Sequence, residues 1–296
     1  MTTNRLATTS EQSQFYNELV SRNRHFVGKN TQAAIHDIKV LIAGCGAAGG
    51  ACIEPLARLG VTRFRLADNG AYELANLNRQ HTFIDHIGSN KAEFHMAELL
   101  RINPYIDVKH FPEGISEANS PALVEWADLI VDGVDVTTAD AIRLKFGLHV
   151  LAHKNRKPVL SPLDPGFCQM GYGFDYRKSS TPILRNRLEK CLKAKHPIKA
   201  LLAMFPAEEL PSHSLPLILD LLENPGMPAS QLACSADILS GIAGAALIRF
   251  IETGELIESW NIDLSYIAHS KRERLRNWMG RRKFITKINR LLRNIE

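Results

Sequence analysis

The sequence predicts an α/β protein: a doubly wound, mostly parallel, Rossmann-like sheet with a long crossover excursion and C-terminal antiparallel strands. Three observations predict it. An apolar run of strand length, Lys39 to Ala43, leads directly into Gly44-x-Gly46-x-x-Gly49 and a helical segment. Strand-like and helix-like segments then alternate as far as Leu163. After Pro165 the alternation gives way to a longer, Pro-containing stretch before strand-like residues return.

Residues 1–36 read as a polar arm and a helix, with Ser10 as N-cap and Phe15, Leu19 and Val20 as its apolar stripe. The core spans 37–165. Its first helix, Ala51 to Leu59, ends at Gly60, a C′ residue, and Val61 to Ala67 supplies the second strand, ending at Asp68. Asn90 to Ile102 is a helix stopped by Asn103-Pro104, and Ile106 to His110 a short strand. Leu123 to Ala127 closes a helix, and Leu129 to Val131 is a buried strand ending at Asp132. Thr137 to His153 is helical, and Pro158 to Leu160 forms the next strand.

Residues 166–270 read as an excursion and return within the same domain. Gly166 to Tyr176 alternates like a strand. Arg177 to Ser230 is dense in Pro and basic residues, with helical pieces at Ile198 to Met204 and Leu217 to Leu222; long connections of this kind often carry function. Ser235 to Ile251 is a helix whose Gly241, Ala243, Gly244, Ala245 and Ala246 suit close packing, and Leu256 to Leu264 is a strand. Residues 271–296 form a basic tail, amphipathic from Phe284 through Ile288, Leu291, Leu292 and Ile295. Trp126 and Trp260 are expected in the core, and Trp278 as an anchor for the tail.

Composition narrows the class. With 45% hydrophobic and 23% charged residues over 296 positions, the chain reads as a soluble globular protein of one or two domains. It has no run of 18 apolar residues, so no transmembrane helix is expected, and Met1 to Gln14 lacks the apolar core of a signal peptide. Five cysteines with no C-x-x-C pair argue against a zinc site and a disulfide scaffold and fit a reducing cytoplasm. The net charge of +5 is local: residues 271–296 carry ten Lys/Arg against two Glu, so the remainder is slightly acidic.

The glycine motif has a mechanical logic. Gly44 permits the tight turn, Gly46 lets phosphates approach the backbone, and Gly49 lets helix and strand pack closely. The helix N-terminus then presents unpaired N–H groups to an anion. Asp68 stands where a carboxylate accepts from ribose hydroxyls. Gly49-Gly50-Ala51 lacks the Lys-Ser/Thr of a Walker loop. Alone, this fingerprint fits NAD. Downstream, however, come Asn76, Asn78, Arg79 and Gln80, then Lys91. A dinucleotide does not require that cluster, whereas a triphosphate needs its cations and amide donors. Asp132-Gly-Val-Asp135 follows a later strand, where a carboxylate can hold Mg²⁺ against phosphates.

With these residues the chain resembles the ubiquitin-activating-enzyme superfamily, most closely the ThiF/MoeB-like adenylyltransferases that activate the C-terminus of ubiquitin-like sulfur carriers. The resemblance runs from about Arg22 to Leu163 and resumes weakly from Ser235 to Leu264. It implies that Gly44, Gly46 and Gly49 form the ATP loop, that Asp68 binds ribose, and that Asn76, Asn78 and Gln80 shape the phosphate region and donate to it. It further implies that Arg79 contacts the β/γ-phosphates, Lys91 the α-phosphate, and Asp135 orients Mg²⁺. Arg24 matches an arginine that reaches the ATP of the other subunit, which implies a homodimer. Some relatives pass the acyl group to a cysteine; Cys191, beside Lys190, Lys193 and Lys195, is the candidate acyl-acceptor thiol, because nearby cations favour a thiolate. The chain departs from the family pattern at Ala75, where Ser is usual, at Val136, where Asn is usual, and in lacking the zinc-binding cysteine pairs of many relatives.

The implied reaction is adenylation of a carboxylate, most simply the C-terminus of a ubiquitin-like or sulfur-carrier protein or peptide. Alternatives are a small-molecule or tRNA-borne carboxylate, an NAD-dependent oxidoreductase, which leaves Asn76 to Gln80, Lys91 and Asp135 unexplained, and a non-catalytic scaffold subunit, for which Ala75 and Val136 argue and against which Arg79, Lys91 and Asp135 argue. The basic tail reads as a packed or dimer-forming helix, a dock for an acidic protein, or an RNA contact. For a membrane it offers no second anchor.

Overall fold

Hydrophobic residues on both sides of a strand require cover on both faces of the sheet. In β1 (Lys39–Ala43), Val40 and Ile42 enter one core while Leu41 and Ala43 enter the other. The computed structural model, which describes residues 9–136, 138–194, 196–224 and 226–294, shows how that cover is built.

Two helices precede β1: α1 (Thr9–Leu19) and α2 (Lys29–Asp37). The first eight residues of the polar arm lie outside the described residues. From β1 the chain runs through α3 (Ala47–Leu59), β2 (Arg63–Ala67), α4 (Lys91–Ile102) and β3 (Asp107–Phe111). It continues through α5 (Ser120–Trp126), β4 (Leu129–Asp132), α6 (Ala139–Lys154) and β5 (Pro158–Leu163). Thr137, where the sixth helix was expected to start, lies outside the described residues. Each helix has a local reason to begin or end. Asn90 caps α4 by accepting from the Glu93 N–H at 3.1 Å, and Gly60 ends α3 at φ +117°.

The sheet order is β3-β2-β1-β4-β5-β6-β7, parallel through β5, with β6 (Cys168–Asp175) and β7 (Ser259–Asp263) added antiparallel. The reversal on either side of β1 puts the switch point of the doubly wound sheet at the glycine loop. One face is covered by α3, α4 and α10 (Ala233–Thr253), which packs on α3. α10 is long and apolar enough by composition to cross a membrane, yet Leu239, Ala243, Ala246 and Leu247 sit in this core.

The excursion, expected as a crossover within the same domain, contributes to the core. α7 (Leu188–Lys193), α8 (Pro197–Met204) and α9 (Leu215–Glu223) supply much of the core on the other face. After β7 come a short α11 (Ser265–Ala268) and α12 (Lys271–Asn294). The tail is therefore one helix beginning thirteen residues before Phe284. Its second half packs along α9 with Ile288 fully buried, and Arg281 donates to the Leu210 carbonyl at 2.7 Å. Ile295 lies outside the described residues. Trp260 is buried, but Trp278, expected as an anchor, is exposed.

The glycines separate by environment. A Cβ on Gly49 would stand 1.8 Å from the Gly44 carbonyl oxygen, whereas one on Gly241 meets open space, so Gly241 is not a packing glycine. Gly49→Ala is expected to cost more than about 3 kcal/mol in urea unfolding, and Gly241→Ala to stabilise by about 0.5–1 kcal/mol. An unchanged midpoint for Gly49→Ala would contradict the close approach.

Candidate functional site

Strand β1 ends at Gly44, whose φ of +87° is a left-handed conformation that favours glycine. A Cβ there would lie 2.3 Å from the carbonyl oxygen of Gly133 and 2.8 Å from the amide nitrogen of Val134. A Cβ on Gly133 would in turn crowd the Gly44 carbonyl at 2.7 Å and the Gly49 nitrogen at 2.8 Å. Three backbones thus meet without side chains: the loop after β1, the first turn of α3 and the loop after β4. Gly133 lies outside the glycine motif and in the sequence stands only between two aspartates.

Asp68, at the end of β2, closes the arrangement from the other side. Its Oδ2 accepts from the Cys45 N–H at 2.6 Å and its Oδ1 from the Gly70 N–H at 2.7 Å. The carboxylate is thereby fixed against the glycine loop. Asn90 donates to the Asp68 carbonyl at 2.8 Å, and the Lys91 N–H donates to the Gly70 carbonyl at 3.0 Å. The start of α4 is so tied to the end of β2, and the half-buried Lys91 ammonium lies 5.8 Å from the centre of the Tyr72 ring. Behind the loop, His95 is buried 3.0 Å from the Tyr72 hydroxyl, and burial pushes its imidazole down to about 3, so it is neutral.

Residues 76–80 divide among different tasks. Asn76 is buried and its Oδ1 accepts from the Glu73 N–H in a capping box, so it shapes the segment instead of facing a ligand. Gln80 turns toward the loop: its Nε2 lies 3.9 Å from where a Gly46 Cβ would be, and its Oε1 is buried with no hydrogen-bond partner. Arg79 donates through Nε to Gln231 at 2.6 Å and through Nη1 to the Ala75 carbonyl and to Asn78. Asn78, itself exposed, donates to the Gln231 backbone at 3.4 Å. Gln231, just before α10, therefore carries the end of the excursion to the site. Nothing in the sequence marked that contact across 152 positions.

The two aspartates after β4 separate. Asp132 is fully buried, with its Oδ2 2.7 Å from the Lys145 ammonium, 3.0 Å from His149 Nε2 and 2.9 Å from the Ser161 hydroxyl. Burial alone would raise this carboxyl, but the Lys145 charge and the His149 contact outweigh it and hold it at about 2. Lys145 also donates to the Asp132 carbonyl at 3.2 Å, bracing the loop that abuts Gly44. Lys145 and His149 stand four apart on α6, a spacing that puts both on one helix face and was visible in the sequence. Asp135, three residues on, is exposed at the rim.

Two expected residues fall elsewhere. Arg24 is exposed in the N-terminal segment, beside Phe26, which is 87% exposed. Cys191 is buried on α7, and burial pushes its thiol up to about 11 against the pull of Arg187 and Lys190. This corrects the expectation of an activated thiolate: its neighbours in sequence are cationic, but the thiol faces the core. Lys195 lies outside the described residues. Cys234 is the one exposed cysteine, in the first turn of α10 and three residues after Gln231. Mild alkylation of the native protein is expected to modify Cys234 well before Cys191. Equal labelling rates would contradict the burial.

Asp164, just past β5, is also buried, and burial lifts its carboxyl to about 6 against the opposing bond from Gln169. With the folded value above the ordinary one, its contribution is fully present below about pH 4 and is lost as pH rises through 6. The loss amounts to about 3 kcal/mol. Asp164→Asn should remove that decline between pH 4 and 7 in thermal melts. Identical slopes for the two proteins would contradict it.

The comparisons with known proteins agree with the fold. The chain is 33% identical over 126 residues to the molybdopterin-synthase adenylyltransferase of Escherichia coli K12, covering 42% of this chain and 49% of that protein. Matched stretches span from 19% to 49% of the length of the curated relatives. The E. coli tRNA N6-threonylcarbamoyladenosine dehydratase in complex with ATP shares the fold at TM-score 0.56 and 18% identity, covering 82% of this chain and 97% of that one. E. coli MccB with AMPCPP and MccA does so at TM-score 0.56 and 21% identity, covering 88% and 72%. The ThiF family model matches residues 20–259, most of the sheet and the glycine loop with it, and the chain belongs to the ThiF family.

Proposed function

We propose that this chain is an ATP-dependent adenylyltransferase acting on a carboxylate, that of the C-terminus of a small ubiquitin-like or sulfur-carrier protein or peptide. The observation that carries the reading is the convergence of a side-chain-free glycine loop, the pre-oriented Asp68, the Lys91 ammonium and the loop bearing Asp135 at one sheet edge. The ATP complex of a protein of this fold supports nucleotide binding there.

In the proposed step an acceptor carboxylate oxygen bonds to the α-phosphorus of ATP, the bond to the β-phosphate oxygen breaks, and pyrophosphate departs with its electron pair. The product is an acyl adenylate. A carboxylate is ionised at pH 7, so no general base is needed. The first-turn N–H groups of α3 face the phosphates, and both Asp68 oxygens keep lone pairs for ribose hydroxyls. Lys91 and Arg79 offset charge as it develops on the phosphates. Among the described residues no three His, Cys, Asp or Glu side chains converge on a metal, and a single rim carboxylate such as Asp135 suits Mg²⁺ held mainly by phosphates and water. Such an ion would supply electrostatic stabilisation of the leaving pyrophosphate.

Arg24 lies on the exposed N-terminal segment beside Phe26, which fits an arginine supplied to the neighbouring subunit of a homodimer. Five free cysteines suit a reducing cytoplasm. A tRNA-borne carboxylate is the second reading, favoured by the positive charge of α12.

Exchange of labelled pyrophosphate into ATP tests the reading. Peptides ending in Gly-Gly, small carboxylic acids and tRNA serve as acceptors. Exchange is expected with the peptides, falling on the order of 10²–10³-fold in Arg79→Ala. No exchange with any acceptor, or full exchange by the variant, would refute the assignment.

A further inference from the structure

The carboxyl edge of the sheet carries a concavity away from the glycine loop. It lies between the end of β7, α11, the 211–213 segment and the first turns of α12, with a volume of about 460 Å³. Lys271 and Arg274 line it together with Tyr266, Trp278, His213 and Asp263. The Nε of Arg274 is buried with no hydrogen-bond partner, and its guanidinium stacks 4.7 Å above the Tyr266 ring. Among the described residues neither Lys271 nor Arg274 forms an ion pair. Around the opening, Tyr266, Ile267, Leu275, Trp278 and Met279 are 54–86% exposed. Leu275, Trp278 and Met279 are spaced i, i+3, i+4, so they form one apolar stripe on α12. A cluster of exposed apolar side chains beside unpaired cations marks a binding surface.

We propose that this surface docks an acidic segment of the protein or peptide acceptor. An aromatic or aliphatic side chain would enter between Tyr266 and Trp278, and carboxylates would pair with Lys271 and Arg274. The proposal rests on the reading of the acceptor as a polypeptide. Charge complementarity selects the occupant. A second copy related by a two-fold axis would set Lys271, Arg272, Arg274 and Arg276 against their own equivalents, which is repulsive. Single-stranded RNA could stack on Tyr266 and Trp278 but gains little from Ile267, Leu275 and Met279. An acidic peptide with an apolar anchor uses the cations and the whole rim.

The position also suits the chemistry. β7 runs parallel to β1, β4 and β5, so its Asp263 end shares the edge with the glycine loop. Four strand spacings separate β1 from β7, about 19 Å. Roughly six extended residues cover that span. An acceptor docked on α12 can therefore lay its C-terminal tail along the edge to the α-phosphate.

Selection of displayed random 12-mer peptides against the full chain tests this, with Arg274→Glu and Trp278→Ala as separate counter-targets and matched melting curves as the check on folding. The expected pool is enriched in Asp and Glu beside an aromatic or aliphatic residue. Its members should bind each variant at least 10-fold more weakly, while a fluorescent ATP analogue, mant-ATP, binds all three proteins alike. A pool without acidic enrichment, or one indifferent to both variants, overturns the proposal. So does a 20-nucleotide single-stranded RNA that outcompetes the peptides and is lost in Arg274→Glu, or a dimer that Trp278→Ala dissolves in light scattering. If mant-ATP does not bind the wild-type chain, the adenylation reading fails, and the peptide selection still decides the docking surface.

Discussion

The loop after β1, the first turn of α3 and the loop after β4 approach one another with no side chain between them. Gly44, Gly49 and Gly133 each lie so close to a neighbouring main chain that a single methyl group would overlap it. Asp68 then fastens the turn through the Cys45 N–H. The remaining features of the site depend on this contact. It sets the direction in which α3 leaves the loop, and hence where its N-terminal N–H groups point. It also fixes the height of the β4 loop, and hence where Asp135 reaches the rim. Backbone so placed offers an anion several donors with no side-chain entropy to lose on binding.

Below the loop, a buried ionic cluster keeps the β4 end in place. The Asp132 carboxylate, out of contact with water, would be costly if unpaired, and Lys145, His149 and Ser161 all supply partners. His149 Nδ1 lies 2.9 Å from the Tyr176 hydroxyl, which accepts from the Leu184 N–H. The cluster thus links the glycine loop to the start of the excursion, as Gln231 links Arg79 to its end. The excursion is consequently part of the core on one face of the sheet and part of the site at its carboxyl edge.

Much of this was legible in the sequence, for local reasons. The β1 run, the glycine spacing and the Asn103-Pro104 stop each express their structure within a few residues, so alternation and spacing predicted the doubly wound sheet. The remainder depended on tertiary placement. Asp132 and Asp135 are equivalent in composition, but only the strand end shows that one points into the core. Cys191 has cations on either side in sequence; helix α7 turns its thiol inward while Lys193 pairs with Glu189 in solvent. Asn76 looked like a ligand donor because its neighbours do, and it serves as a cap. The first half of α12 has few apolar residues, and its docking on the 208–212 segment through Arg281 has no periodic signature.

Binding of a magnesium nucleoside triphosphate at the glycine turn is the step on which the proposed function rests. Calorimetric titration of the purified chain with Mg-ATP and, separately, with NADH addresses it most directly. One Mg-ATP bound per chain, lost in Asp68→Ala and with NADH giving no heat, is the predicted result. Saturable binding of NADH in preference to Mg-ATP would contradict it.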